Sequence, residues 1–183
     1  MSLTQYYTAT TLDGFIADEN HSLDWLFKRD QDQAGPLNYA EFFASVGALA
    51  MGSTTYEWIL DRERRGNDPA GWRWPYGIPC WVFTHRGLQV VPDAAITFTS
   101  GEVASVHREM VAAAGGRNVW IVGGGDLAGQ FADAGLLDEV IVYVAPVTLG
   151  GGAQLLPRHL ELRLEETARN GEFVTARFSV VRS

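Results

Sequence analysis

The run Val119-Trp120-Ile121-Val122-Gly123-Gly124-Gly125-Asp126-Leu127-Ala128-Gly129 drives four apolar residues straight into three consecutive glycines. It predicts a short buried strand at 119–122 and a helix over 127–134 closed by Gly135. The same order recurs at 46–51 (VGALAM), followed by Gly52-Ser53-Thr54-Thr55 and a helical 56–60, and at 80–83 (CWVF), ending in Thr84-His85-Arg86. A β-branched run at 140–144 (VIVYV) predicts a central strand. Residues 6–11 read as a strand, Asp13-Gly14 as a turn, and 15–17 as a resumed apolar run. Asn38 caps a helix through 45, 94–97 forms a short strand, and 102–114 forms a helix closed by Gly115-Gly116. Two alternating runs around Asn170-Gly171 predict a hairpin with a type I′ turn. Strands alternating with helices and closed by a hairpin give an α/β fold, a three-layer sandwich with a mostly parallel central sheet and an antiparallel C-terminal hairpin.

A chain of 183 residues suits a single domain over 1–183. Residues 18–36 and 61–79 read as polar loops, the second carrying Trp72, Trp74 and Tyr76, which stack on a ligand, pack a partner or cover the core. No apolar run approaches the roughly 20 residues of a membrane span and the N-terminus has no signal-peptide pattern, so a cytoplasmic protein away from membranes is expected. A single cysteine, Cys80, and four scattered histidines predict no metal site. The net charge of −8 argues against nucleic acid as a partner. With Lys28 the only lysine, cationic work falls to arginine, whose fork grips phosphate.

The three glycines admit two readings: a strand-to-helix turn packed against a neighbour, or a bare backbone against which phosphate lies beside a helix N-terminus. Three strands end in phosphate-friendly residues, and in open α/β sheets such ends converge on one ligand. The spacing Gly123-x-Gly125-x-x-x-Gly129 is close to a dinucleotide fingerprint, but the next strand ends in Ala145-Pro146 with no acidic residue for a ribose, which disfavours a Rossmann domain. No Gly-Lys-Ser/Thr exists for a Walker loop. His107-Arg108-Glu109 has half of a deaminase zinc motif, and one cysteine cannot complete it. A Tyr-x-x-x-Lys dyad cannot be built on Lys28, because Asp24 stands in the tyrosine's place.

Together TTLDGFIAD at 10–18, MGSTTYE at 51–57, VFTHR at 82–86 and the stretch 119–152 resemble the dihydrofolate reductase-like superfamily, in particular the reductase domain of the riboflavin-pathway deaminase-reductase and its stand-alone bacterial relatives. The resemblance implies an NADPH-dependent reductase acting on a small heterocyclic substrate of pterin or ribosylaminopyrimidine type, and a homodimer. By motif, Gly123, Gly124, Gly125, Asp126 and Leu127 would embrace the pyrophosphate, with Gly52, Ser53, Thr54 and Thr55 at a second helix start. Thr84, His85 and Arg86 would face the adenosine end, where Arg86 meets a 2′-phosphate, while Ala9 and Ile16 would border the nicotinamide.

On the substrate side the resemblance points to Asp24, Trp25, Tyr39, Glu41 and Phe42, with Glu41 or Asp24 as catalytic carboxylate. Against these roles stand a solvated helix residue for Glu41, the ordinary place of a glutamate, and a core anchor for Trp25. The alternative function is a non-catalytic nucleotide-binding or regulatory protein that retains the cofactor cradle and lacks the substrate carboxylate.

Overall fold

The computed structural model describes residues 2–66 and 72–182. In chain order the elements are β1 (Thr4–Thr11), β2 (Phe15–Ala17), α1 (Asp24–Phe27), α2 (Tyr39–Ala44), β3 (Val46–Gly52), α3 (Ser53–Gly66), β4 (Cys80–Phe83), β5 (Ile96–Thr99), α4 (Val103–Ala113), β6 (Asn118–Gly123), α5 (Gly125–Asp133), β7 (Glu139–Ala145), β8 (Ala153–Gln154), β9 (Leu162–Asn170) and β10 (Phe173–Val180). One eight-stranded sheet runs β5-β4-β3-β6-β1-β7-β10-β9. Its first six strands are parallel, and β10 pairs antiparallel with both β7 and β9. The expected mostly parallel sheet with its antiparallel hairpin is therefore what the chain forms.

Alternation along each strand makes the three layers, because successive side chains leave a strand on opposite faces. Tyr6, Ala48, Ala50, Val119, Ile121 and Val142 face α4 and α5, where Val106, Met110, Leu127 and Phe131 close one core. Leu49, Met51, Val82, Trp120 and Ile141 face the other way, against Tyr56, Ile59 and Leu60 of α3 and Phe42 of α2. Phe42 and Tyr39 follow a cap that the sequence announces: the Asn38 side-chain oxygen accepts the Glu41 N–H at 2.9 Å.

Several local expectations need correction. Residues 61–66, read as the start of a loop, are the last turns of α3; their charges are the solvent face of an amphipathic helix whose inner face is Tyr56, Ile59 and Leu60. Residues 67–71 of that expected loop lie outside the described residues. The strand expected at 94–97 runs Ile96–Thr99, and α5 begins two residues early, at Gly125. The hairpin turn is not type I′. Asn170 closes β9 and pairs with Phe173, so the central residues are Gly171 and Glu172, and of these only Gly171 has a positive φ, +59°, as in type II′ turns.

Candidate functional site

A cleft of about 1530 Å³ opens on the α3 side of the sheet, across the carboxyl-terminal ends of β1, β6 and β7. Its position follows from the topology: parallel strands deliver their loops to one edge, and the helices leaving β3 and β6 start there side by side. β3 passes directly into α3 at Ser53, and β6 passes through Gly124 into α5, with Met51 and Gly123 in register. The first-turn N–H groups of both helices have no intrahelical acceptor, and both dipoles present their positive ends.

The glycines make this approach possible. A Cβ on Gly123 would stand 2.7 Å from Thr55 Oγ1, and one on Gly125 would stand 2.5 Å from the Leu155 carbonyl oxygen, so both positions are closed to side chains by packing. Gly124 carries φ +101°, which turns the chain from strand to helix. Close packing and an open backbone coexist here, because Gly123, Gly124 and Gly125 also line the cleft, with Thr54, Thr55 and Asp126. Hydrogen bonds from Gln130 and Arg158 hold the Asp126 carboxyl below its usual range; Arg158 Nη2 lies 2.9 Å from it and Nε 2.8 Å from Asp133.

The far end of the cleft is aromatic. Tyr7 stacks on Phe42 at 4.2 Å between ring centres and stands edge-on to Trp120 at 6.3 Å. The Trp120 indole N–H donates to the Tyr7 carbonyl at 3.0 Å, which fixes the ring against the sheet. Tyr7 donates its hydroxyl to the Leu37 carbonyl and Tyr143 to that of Pro36, so two phenols staple the 36–37 loop to the cleft wall. Burial raises the pKa of Tyr7, Tyr39 and Tyr76, so all three stay protonated donors at neutral pH. At the mouth, Phe27 of α1 stacks on Trp58 of α3 at 6.1 Å, and the Arg62 guanidinium sits 4.0 Å above the Phe27 ring.

The model of the RibD C-terminal domain family matches residues 4–174. The chain belongs to that family. Among curated relatives of this RibD C-terminal domain protein, the uncharacterized protein YwjB of Bacillus subtilis is 33% identical, over 93% of this chain and 94% of its own length. The riboflavin biosynthesis protein RibD of Bacillus amyloliquefaciens is 29% identical over 78% of this chain, which spans only 45% of that protein. Among solved structures, a putative riboflavin biosynthesis protein from Shewanella superposes with a TM-score of 0.79 at 24% identity, over 98% of this chain and 99% of its own. The Thermotoga maritima diaminohydroxyphosphoribosylaminopyrimidine deaminase/5-amino-6-(5-phosphoribosylamino)uracil reductase superposes at 0.66 and 16%, over 98% and 57% of the two chains. At these identities the structural matches establish the shared fold.

Within this RibD C-terminal domain the residues singled out from sequence separate into groups. Ala9, Ile16, Tyr39, Thr54, Thr55, Gly123, Gly124, Gly125 and Asp126 line the one cleft. Gly52, Ser53 and Leu127 are not among its lining residues; Gly52 and Ser53 are half-buried and Leu127 is buried. Thr84, His85 and Arg86 sit along the same sheet edge beyond Gly52, outside the cleft lining, with Arg86 paired to Glu57 of α3. Trp25 is buried against Tyr143, Ala145 and Phe173 and supports the loop over the cleft rather than facing into it. Phe42 is buried behind Tyr7. Asp24 and Glu41 are exposed and do not line the cleft.

Sequence reasoning missed Asn170, which it read only as a turn residue. Its buried amide accepts the Asp32 N–H at 2.7 Å and donates to the carbonyls of Asp32 and Pro36 and to the Tyr143 hydroxyl. From sequence Tyr7 and Trp120 are strand residues alone; alternation along β1 and β6 is the signal that puts them on the same face as Ala9 and Val122. Trp74 and Tyr76 cover the second core, and Tyr76 also reaches the cleft. Burial pushes the Cys80 thiol up to about 12, so it offers no nucleophile.

Proposed function

We propose that this protein is a reductase that binds a reduced nicotinamide dinucleotide along the β4–β3–β6 edge and reduces a small planar heterocycle in the aromatic end of the cleft. One observation carries the reading: two adjacent helix N-termini, that of α5 bared by Gly123–Gly125 and that of α3 following Gly52, open beside an aromatic slot. The dinucleotide supplies hydride chemistry when bound, and NADPH is the favoured form. Thr54, Thr55 and the glycine loop would hold its phosphates, and Ala9 and Ile16 would give the nicotinamide an apolar wall. Membership of the RibD C-terminal domain family supports the same reading, with a pterin or a ribosylaminopyrimidine as substrate type.

The protein's own contribution is orientation and a proton donor. Asp24 and Glu41 lie off the cleft lining, whereas Tyr39 and Tyr76 bring protonated phenols into it. A planar ring lying against the packed cluster of Trp120, Tyr7 and Tyr39 would meet phenol donors at its edge. The placement of Asp24 and Glu41 off the lining leaves a second reading, a nucleotide-binding protein without turnover, against which stand the carboxylates of Asp30, Glu63 and Asp126 in the lining. A cytoplasmic homodimer completes the proposal, the dimer supported by the exposed Leu162, Leu164 and Val174 of the C-terminal hairpin; no helix among the described residues is long and apolar enough to cross a membrane.

Titration with NADPH and with NADH, followed by tryptophan fluorescence, tests the cofactor. Saturable binding, with substrate-dependent oxidation when pterins and ribosylaminopyrimidines are added, is expected. Binding without turnover of either class supports the second reading, and no binding of either dinucleotide overturns both.

A further inference from the structure

Arg86 leaves the carboxyl end of β4 with its guanidinium fork already filled. Nη1 donates to Glu57 Oε1 at 3.2 Å and Nη2 to Oε2 at 2.6 Å, a two-point pairing of planar groups. The loop that presents Arg86 is itself fixed, its N–H donating to the Thr84 hydroxyl at 2.9 Å. Glu57 rises from the second turn of α3, and register brings the two together because Phe83 at the end of β4 pairs with Gly52 just before that helix. The side chains are 56% and 45% exposed, so a solute from water can reach the pair.

β4, β3 and β6 are neighbours in the sheet, which sets Arg86 two strand spacings, roughly 10 Å, from the glycine loop. A dinucleotide with its pyrophosphate over Gly123–Gly125 and its adenosine directed along this edge brings its ribose 2′ position to the pair. We propose that Glu57 is the residue that sets dinucleotide preference: by filling the Arg86 fork it leaves the 2′ subsite close to neutral, so that the protein discriminates only weakly between NADPH and NADH. This rests on the cofactor reading above and refines it.

The charges explain why. A 2′-phosphate carries about −1.5 to −2 and gains Arg86 only by displacing a carboxylate that then stays beside it as a like charge. An uncharged 2′-hydroxyl can donate to that carboxylate without disturbing the ion pair. Glu57→Gln keeps the shape, removes the repulsion and frees the fork.

Fluorescence titration of the full chain with NADPH and NADH, for wild type, Glu57→Gln and Arg86→Ala, tests this. Wild type should prefer NADPH by less than about tenfold. Glu57→Gln should bind NADPH about tenfold more tightly, roughly 1.4 kcal/mol, as expected for removing one charge a few ångströms from a dianion in water, while NADH affinity stays level or falls. Arg86→Ala should weaken NADPH by about tenfold and leave NADH within about twofold. Binding of both dinucleotides with the same preference in wild type and Glu57→Gln overturns the role of Glu57 and leaves the cofactor reading standing. Failure of all three proteins to bind either dinucleotide overturns that reading and this one with it.

Discussion

At the residue scale, Gly123 and Thr55 form a pair that neither sequence position announces. An alanine at 123 would press its Cβ against Thr55 Oγ1 at 2.7 Å and Cγ2 at 3.1 Å, with Cβ at 3.4 Å behind them. Gly123→Ala should therefore cost about 1–3 kcal/mol by urea denaturation, the usual range for forced overpacking. In a Thr55→Ala background, where only the ordinary 3.4 Å contact remains, most of that loss should disappear, giving a coupling energy of at least about 1 kcal/mol. His107 gives a pH prediction. Its ring nitrogen is 2.7 Å from Thr4 Oγ1, and burial, partly offset by the Asp138 charge, holds its pKa below the ordinary imidazole value of about 6.5. Because the unfolded chain takes up this proton more readily, the contribution of His107 to stability is complete above about pH 6.5 and is lost as pH falls toward the folded pKa. His107→Gln should flatten the pH dependence of stability in that window.

At the element scale, the C-terminal hairpin does more than close the sheet. Its tip clasps the loop that walls the cleft: the Glu172 N–H donates to the Asp30 carbonyl at 2.9 Å, the Asp30 N–H returns to the Glu172 carboxylate at 2.7 Å, and Asn170 holds residues 32 and 36. Asn170→Ala would remove four hydrogen bonds at once and leave the Asp32 N–H without its acceptor, while the Asp32 carbonyl keeps the Gly35 N–H and the Pro36 carbonyl keeps the Tyr143 hydroxyl. A loss of about 2–3 kcal/mol is expected, with faster amide exchange in residues 30–37 before global unfolding. Unchanged exchange there would mean that the loop is ordered by Trp25 and its neighbours instead. The turn that forms the tip illustrates how tertiary contact chooses among local options: Asn-Gly suits a type I′ turn, yet the amide of Asn170 is worth more buried among four polar partners than exposed at a turn.

At the scale of the whole molecule, part of one face of the hairpin remains exposed, while Ala176, Phe178 and Val180 on that face pack into the first core. The irregularity in the β9–β10 register between Arg177 and Phe178 sets Leu162 and Leu164 opposite Val180 and Phe178, on the same face as Val174. Leu162, Leu164 and Val174 are 39%, 54% and 56% exposed, and β9 is a nine-residue edge with no further strand beside it among the described residues. An apolar row beside an open edge favours a second subunit. Sedimentation should show a homodimer that Leu164→Glu combined with Val174→Lys converts to monomer without loss of secondary structure. A wild-type monomer at tens of micromolar would remove the dimer from the proposal.

The sequence by itself determined most of the strands, the helices of the α/β alternation and the hairpin, because each leaves a local trace: β-branched runs, an asparagine cap at Asn38, glycines where strand turns into helix. It also marked the glycine loop and the hydroxyl-rich start of α3, since a backbone cradle is written in residues that lack or minimise side chains. What it left open depended on neighbours distant in the chain. Polarity at 61–66 looked like loop and proved to be the wet face of α3, because exposure is a property of what packs on the other side. Which aromatic residues line the cleft, and that Asp24 and Glu41 do not, was decided only when β1, β6, β7 and the 18–37 loop met. Only the folded chain brought Glu57 to Arg86 and Asn170 to Asp32, since their contacts cross 29 and 138 residues, distances over which no local pattern carries information.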